Sequence, residues 1–266
     1  MRISVVTPSF NQGQYLEETI ESVLSQGIGD LEYIIMDGGS TDKSVEIIKR
    51  YEKYLAYWQS EKDSGQAAAL NTGFERATGE VFCFLNSDDR FEPGALVRAE
   101  EEFKAKPELQ LLYGDYTLVY PDKHEVPKPR VSFDFNICLY AYLIIPQPSS
   151  FWRAGLHRRI GGMNPVFPYA FDLDFYLRAG DALRDEPDSI LHIHKFLSKF
   201  RIHATSKSVS ESEKFVPEFQ PIFDQFDGIR SPILRKIRSK YELARCVWRF
   251  WRERGVIIYK KDKWVA

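Results

Sequence analysis

Residues 81–93 read VFCFLNSDDRFEP. An apolar run ends abruptly in Asn86, Ser87, Asp88 and Asp89. Adjacent carboxylates repel each other and are costly to desolvate, so something positive is expected where they meet. Upstream, ISVVTP (residues 3–8) and LEYIIMDGG (31–39) carry the same signature of a buried strand ending in polar residues, and LAYWQSE (55–61) is a third strand candidate. Between them QGQYLEETIESVLSQ, STDKSVEIIKRYEKY and QAAALNTGFERAT show helical spacing. Pro93 is expected to open a further helix, PGALVRAEEEFKA.

Strands alternating with helices through short connections imply βαβ units and a parallel sheet. Open sheets of this kind bind ligands at the carboxyl ends of their strands. Four polar clusters fall at such ends: Ser9-Phe10-Asn11, Asp37-Gly38-Gly39-Ser40, Asp63-Ser64-Gly65 and Asn86-Ser87-Asp88-Asp89. Four at successive ends predict one crevice. After residue 105 the pattern changes: LQLLYGDYTLVY (109–120) and ILHIHKFLSKFRIH (190–203) read as strands, with helix DLDFYLRAG between them. The Pro-containing segments 121–129 and 146–148 read as loops, and 204–230 as a polar linker with a short helix.

Composition narrows the class. With 266 residues, 44% of them hydrophobic, the chain can bury a large core. The net charge of −2 hides an asymmetry: from Arg230 onward twelve Lys and Arg face Glu242, Glu253 and Asp262, so the tail carries about +9 and the body about −11. Cys83, Cys138 and Cys246 have neither metal-type spacing nor a disulfide framework. Reduced thiols, an N-terminus that reads as a strand, and no run of about 18 apolar residues predict a cytoplasmic chain that spans no membrane.

No Walker loop and no GxGxxG is present. A hard divalent cation, which takes oxygen ligands and bridges carboxylates to phosphates, would offset the repulsion between Asp88 and Asp89. The alternative is that both aspartates cap the next turn. In AFDLDFYLRAG, Asp172 and Asp174 raise a similar choice: Asp174 has the spacing to pair with Arg178, and Asp172 can cap the helix or act as a base. His192 and His194 share a strand face and invite a zinc reading, but no third ligand of suitable spacing is evident, which favours a structural role.

The pieces VVTPSFNQGQYLEETIESVLSQ, YIIMDGGSTDKS, SEKDSGQAAALNTGFERATGE and VFCFLNSDDRFEPGAL, in this order, resemble glycosyltransferase family 2, enzymes of the GT-A fold. Residues 3–100 carry nearly all of it; PQPSSFWR, GGMNP, AFDLDFYLR and FRIHATSKS match more loosely. The resemblance implies an α/β fold: a GT-A nucleotide-binding sheet flanked by helices, a smaller acceptor-side region and a C-terminal amphipathic helix. It implies a donor-binding half at 1–105 and an acceptor-side half at 106–210; the residues beyond, 211–266, read as a linker with a basic amphipathic helical region.

It further implies an inverting transfer from a nucleotide-sugar, usually a UDP-sugar, with Mn²⁺ or Mg²⁺. Pro8, Ser9 and Phe10 would line the base pocket, Asp37 and Asp63 would read base and ribose, and Gln66, Asn86, Ser87 and Asp88 would complete the donor site. NSDD would be the metal motif, with Asp88 and Asp89 as ligands and His203 reaching the metal or diphosphate beside Lys207. Asp172 would be the catalytic base. Three departures stand out: Asn86 replaces the usual first aspartate, Gly38 another aspartate, and Phe171 a glutamate. The acceptor would be a glycan or lipid-linked hydroxyl in surface polysaccharide or glycolipid assembly, with Gln147 to Ser150 as an acceptor-side loop.

Other classes fit less well. A sugar nucleotidyltransferase wants a basic Gly-rich loop near the N-terminus, and TPSFNQGQ has no Lys or Arg. A glycoside hydrolase would use two carboxylates but would not explain the strand-end clusters. An inactive nucleotide-sugar binder is left open by Asn86 and Phe171. In the tail, Ser231-Pro232 and Gly255 bound a helix with an apolar stripe of Ile233, Ile237, Tyr241, Ala244, Trp248 and Trp251. It predicts either a helix docked on the domain with its arginines in solvent, or one lying on an anionic membrane at its inner face. Nucleic acid is disfavoured by the acidic body.

Overall fold

The protein is described by a computed structural model covering residues 1–255 apart from 142, 187 and 230, and the backbone of 258–260 and 263–265. The donor half runs β1 (Ile3–Ser9), α1 (Gly13–Leu24), β2 (Leu31–Asp37), α2 (Ser44–Tyr51), β3 (Tyr57–Ser60), α3 (Gln66–Arg76) and β4 (Val81–Phe84). These four strands are parallel, in the order β3-β2-β1-β4. All seven residues of β1 are buried, as a strand covered by helices on both faces requires. Alternation sorts its side chains: Ile3 and Val5 meet Leu16, Ile20, Ile47 and Phe103 on one face, while Val6 meets Leu70, Phe74 and Phe175 on the other.

Next come β5 (Arg90–Phe91), α4 (Ala95–Ala105), β6 (Leu111–Val119), β7 (Glu125–Lys128), α5 (Phe135–Tyr140), β8 (Ser150–Arg153), α6 (Ala154–Ile160), α7 (Phe171–Ala182) and β9 (Ile190–Arg201). One sheet carries both halves: β4 pairs with β8, β8 with β6, and β6 with β9, while β5 reaches across from the Asp88-Asp89 turn to pair with the far part of β9. That crossing brings the end of β9 back to the end of β4.

Three local readings need correction. The helix expected from Pro93 starts at Ala95, because Gly94 adopts φ 79, outside helical space. Segment 121–129 is not wholly a loop: β7 lies in it as an edge strand pairing only with β6, where Pro127 is tolerated. The stretch 204–230 is more than a linker: α8 (Lys207–Ser210) and α9 (Val216–Asp224) fold within it, with Ile222 buried in the core and Phe215, Phe219, Phe223 and Phe226 packed against it.

The last helix, α10 (Pro232–Arg254), starts at its expected cap, with Ser231 Oγ accepting from the Leu234 N–H at 3.4 Å, and stops at Gly255. Its orientation is the reverse of the docked form that the stripe suggested. Cys246, Phe250 and Glu242 face inward. Several arginines also point toward the domain: Arg245 and Arg249 reach Asp134, and Arg254 reaches Asp115. The stripe faces solvent, from Ile233 at 73% exposure to Trp251 at 61%. Among the described residues no helix is long and apolar enough to cross a membrane.

Gly73 shows how closely α3 lies on the sheet. A Cβ there would sit 2.5 Å from Val6 Cγ1 and 3.1 Å from Met36 Cγ. Gly73→Ala is therefore expected to destabilise the fold by ~1–3 kcal/mol through overpacking, although alanine is the better helix former by ~1 kcal/mol. Urea unfolding measures the change; a variant as stable as wild type would show that α3 can move off β1 at no cost.

Candidate active site

The four polar clusters meet at the carboxyl edge of the parallel strands. The Asp88-Asp89 turn is fixed by backbone contacts: Asp89 N–H donates to Asn86 O at 3.0 Å, and Thr19 Oγ1 on α1 donates to Ser87 O and Asp89 O at 3.0 and 2.7 Å. From this turn the two aspartates point in different directions. Asp89 is buried, with Oδ1 accepting from the Arg201 N–H at 2.9 Å and Oδ2 facing Asn86 Nδ2 at 3.5 Å. Burial, and then the charge of Asp88, push its carboxyl well above the usual range. Asp88 keeps its carboxylate at the surface of the crevice, with Oδ2 2.9 Å from His203 Nε2. The other ring nitrogen of His203 meets Thr205 Oγ1 at 2.9 Å, and the ring packs on Tyr15 at 4.6 Å between centroids. The sequence placed both aspartates side by side as ligands; the fold brings Asp88 together with His203 and turns Asp89 inward.

Asn86 sits in a relay of side-chain amides. It accepts from Gln66 Nε2 at 2.7 Å and donates to Gln147 Oε1 at 3.0 Å, while Gln147 donates to Phe84 O at 2.9 Å. An ionised aspartate could accept in this position but could not donate to Gln147. Lys207 Nζ closes the relay on Gln66 Oε1 at 3.2 Å. Desolvation lowers the Lys207 pKa, opposed by the charges of Glu211, Asp63, Glu218 and Asp88. Lys207 thus stands among carboxylates from widely separated parts of the chain.

Asp37 is buried and fully engaged: it accepts from Ser40 N, Ser40 Oγ, Gly39 N and Ser60 Oγ at 2.6–3.2 Å. It organises the loop after β2 more than it faces a ligand. Asp63 accepts from Gly65 N–H at 2.8 Å and lies against Gly38, where a Cβ would stand 2.9 Å from Asp63 Oδ2. Gly38 therefore makes room for Asp63. Pro8 and Ser9 end β1, and the buried Ser9 Oγ has no partner among the described residues. Phe10, next in the chain, is 61% exposed.

Across the crevice α7 begins at Phe171, which packs on Phe84, and carries Asp172 in its first turn. Asp172 Oδ1 accepts from the Leu173 N–H at 2.8 Å. Burial pushes its carboxyl up to about 6, against that hydrogen bond and with a further push from Glu218. Glu218 escaped the sequence reading. From α9 its carboxylate accepts from the N–H groups of Tyr169 and Ala170 at 3.1 and 2.7 Å, at the N-terminal end of α7. The signal that could have found it is the absent glutamate at Phe171, whose place beside Asp172 is left to an acid from elsewhere in the chain. Asp174 makes the i,i+4 pair with Arg178 at 2.6 Å and is fully buried.

An outward carboxylate and an imidazole whose second nitrogen is oriented by Thr205 suit a divalent ion such as Mn²⁺ that takes both oxygen and nitrogen. Mg²⁺ would draw on Asp88 and phosphate oxygens alone.

Comparison with known proteins bears on the family and the fold. Residues 4–137 match the sequence profile of glycosyl transferase family 2. An uncharacterized glycosyltransferase of Mycobacterium tuberculosis (strain H37Rv) is 38% identical over 192 residues, 71% of each chain. The crystal structure of S. aureus TarS in complex with UDP-GlcNAc aligns over 96% of this chain and 75% of that one, with a TM-score of 0.67 at 18% identity. A mannosyltransferase from Pyrobaculum calidifontis in complex with GDP-Man and Mn²⁺ aligns over 96% and 76%, with a TM-score of 0.61 at 17% identity. The α/β sheet with its flanking helices is therefore a GT-A fold, and the chain belongs to glycosyltransferase family 2.

Proposed function

We propose that the protein transfers a sugar, with inversion, from a nucleoside diphosphate donor of the UDP-sugar type to a hydroxyl of a glycan or lipid-linked acceptor in surface polysaccharide or glycolipid assembly. The observation that carries the reading is that Asp88, His203 and Lys207 stand at the strand edge with Glu218 and Asp172 across the crevice, a metal-type pair on one side and a base of raised pKa on the other. A hexosyl or N-acetylhexosaminyl group fits the ligands named for the two solved relatives, UDP-GlcNAc and GDP-Man.

In this reading the acceptor hydroxyl attacks the anomeric carbon. The carbon–oxygen bond to the diphosphate breaks, and its electron pair leaves with the nucleoside diphosphate. Asp172 takes the hydroxyl proton. Asp88 would hold Mn²⁺ or Mg²⁺, with His203 as a further ligand for Mn²⁺, and the ion when bound supplies Lewis-acid stabilisation of the leaving diphosphate. Lys207 adds a positive charge beside the same oxygens. Gln66, Asn86 and Ser87 hold the floor of the donor site, Pro8, Ser9 and Phe10 its base end, and Asp63 lies toward the ribose. Asp37 and Asp89 act on the donor site indirectly, by fixing the loops that carry it.

The exposed stripe of α10 bears on the acceptor. Ile233, Leu234, Ile237, Tyr241, Trp248 and Trp251 are each more than half exposed. Lys236, Lys240 and Arg252 are exposed beside them. Aromatic and aliphatic residues flanked by cations complement an anionic bilayer, so this face is proposed to rest on the cytoplasmic leaflet, where a lipid-linked acceptor would be presented.

Four measurements test these assignments. Asp172→Asn is expected to keep nucleotide binding and lose transfer by ~10²–10⁴-fold; near-wild-type transfer would remove Asp172 as base. Because the base must be unprotonated, kcat/KM should be low below pH 6 and rise through an apparent pKa of about 6; a flat profile from pH 5 to 8 argues against it. Thermal stabilisation by UDP is expected to require Mn²⁺ in wild type and to be lost, with or without Mn²⁺, in Asp88→Ala; an Mn²⁺-dependent shift retained in Asp88→Ala would remove Asp88 as the metal ligand. Vesicles containing phosphatidylserine should sediment the wild type and not the Trp248→Ser/Trp251→Ser double variant. Equal sedimentation would sink the membrane assignment, and a concentration-dependent dimer abolished by the same double variant would replace it with a second copy of this chain.

A further inference from the structure

A second cluster of ligating side chains lies away from the donor crevice. It forms where β9 bulges against β6: Tyr113 pairs with His192, but Asp115 pairs with Phe196, so the stretch of β9 carrying both histidines is longer than the stretch opposite it. Gly114 permits the approach, since a Cβ there would sit 2.6 Å from Lys195 O. Bulges of this kind re-aim side chains. Here the rings of His192 and His194 come to 4.8 Å between centroids.

The His192 side chain is 1% exposed and stacks on Tyr113. Its Nε2 lies 3.0 Å from Asp115 Oδ1 and 3.3 Å from Arg254 Nη2; the shorter contact, to a carboxylate oxygen that accepts, assigns the ring proton to Nε2 and leaves Nδ1 with a free lone pair. Nδ1 has no hydrogen-bond partner among the described residues. A buried acceptor without a donor is costly, and such an atom asks for an explanation. The third member comes from the other end of the chain. Glu253, in the last turn of α10, is held by Ser132 N–H and Oγ at 2.8 and 2.5 Å. Ligand atoms of His192, His194 and Glu253 all lie within 4.8 Å of one another.

We propose that His192, His194 and Glu253 bind a divalent transition ion of the zinc type, which clips the end of α10 to β9. Two imidazole nitrogens and one carboxylate oxygen are a borderline donor set, suited to zinc and unsuited to magnesium. Zinc–ligand bonds of about 2.0–2.1 Å require the three donor atoms to close by on the order of 1 Å, which the exposed His194 can provide by rotating. The exposed side of His194 also leaves water a route to the fourth position. Outer-shell partners are in place, Asp115 behind His192 and Ser132 behind Glu253. The nearest cation, Arg254, is neutralised by both oxygens of Asp115 at 2.5 and 2.7 Å. Arg249, 3.9 Å from Glu253, is shared with Asp134. From Tyr113 to Val119, where β6 nears the donor crevice, the strand runs about 20 Å, so the two sites are separate.

The test is zinc titration of the metal-stripped full chain by calorimetry in excess Mg²⁺, with Co²⁺ absorption as a spectroscopic probe of nitrogen ligation. Wild type and Asp88→Ala are expected to bind one zinc per chain and to gain thermal stability from it. His194→Ala, a surface substitution, should bind at least ~10-fold more weakly and lose both the stabilisation and the Co²⁺ band. Zinc uptake equal in wild type and His194→Ala would overturn the proposal. So would uptake that survives His194→Ala but is lost in Asp88→Ala, which would assign the ion to the donor crevice.

Discussion

The site depends on one buried hydrogen bond, from the Arg201 N–H to the carboxylate of Asp89. It ties the turn after β4 to the end of β9, two points far apart in sequence that belong to opposite halves of the sheet. Arg201 strengthens the tie through its side chain, which donates from Nε to Asp88 O at 3.0 Å and pairs with Glu18 at 2.6 Å. A buried carboxyl group is costly unless its oxygens are hydrogen-bonded, so burial of Asp89 favours the approach of β9. His203, two residues beyond Arg201, is then delivered to Asp88. The adjacent aspartates coexist because one acts as an internal clamp and the other faces the crevice, which keeps their carboxylates in different surroundings.

The amide relay extends the same logic. Lys207, Gln66, Asn86 and Gln147 come from α8, α3, the β4 turn and the loop before β8, and each satisfies the next. Such a chain rigidifies a site when every member is paired. Asn86 and Gly38 both read in the sequence as lost carboxylates. In the fold each has a positive reason: Asn86 must donate as well as accept, and Gly38 must leave space for Asp63. The acid absent at Phe171 has a counterpart in Glu218, which approaches the start of α7 from α9, while Phe171 itself packs against Phe84.

The C-terminal helix distributes its residues against the usual expectation. The domain face opposite α10 carries Asp134, Asp115 and the polar Ser132, so the helix turns several arginines inward to pair with them. The apolar stripe that would ordinarily seek the core is left outside. A helix stabilised by charge on its inner side leaves its apolar side exposed.

The parallel donor half was legible in the sequence, because runs such as ISVVTP and LEYIIMD must be buried on both faces and their polar ends must then collect at one edge. The caps at Ser231 and Gly255 and the Asp174–Arg178 pair were equally legible, since they rest on local spacing. The start of α4 was misread because the φ of Gly94 is set by its turn, and β7 because an edge strand tolerates the proline that argued against it. What only the tertiary structure decided are the long-range meetings: Asp89 with Arg201, Glu218 with α7, Glu253 with the two histidines, and the direction in which α10 faces. Local sequence determines which groups need a partner; only the packed chain determines which partner stands within 3 Å of them.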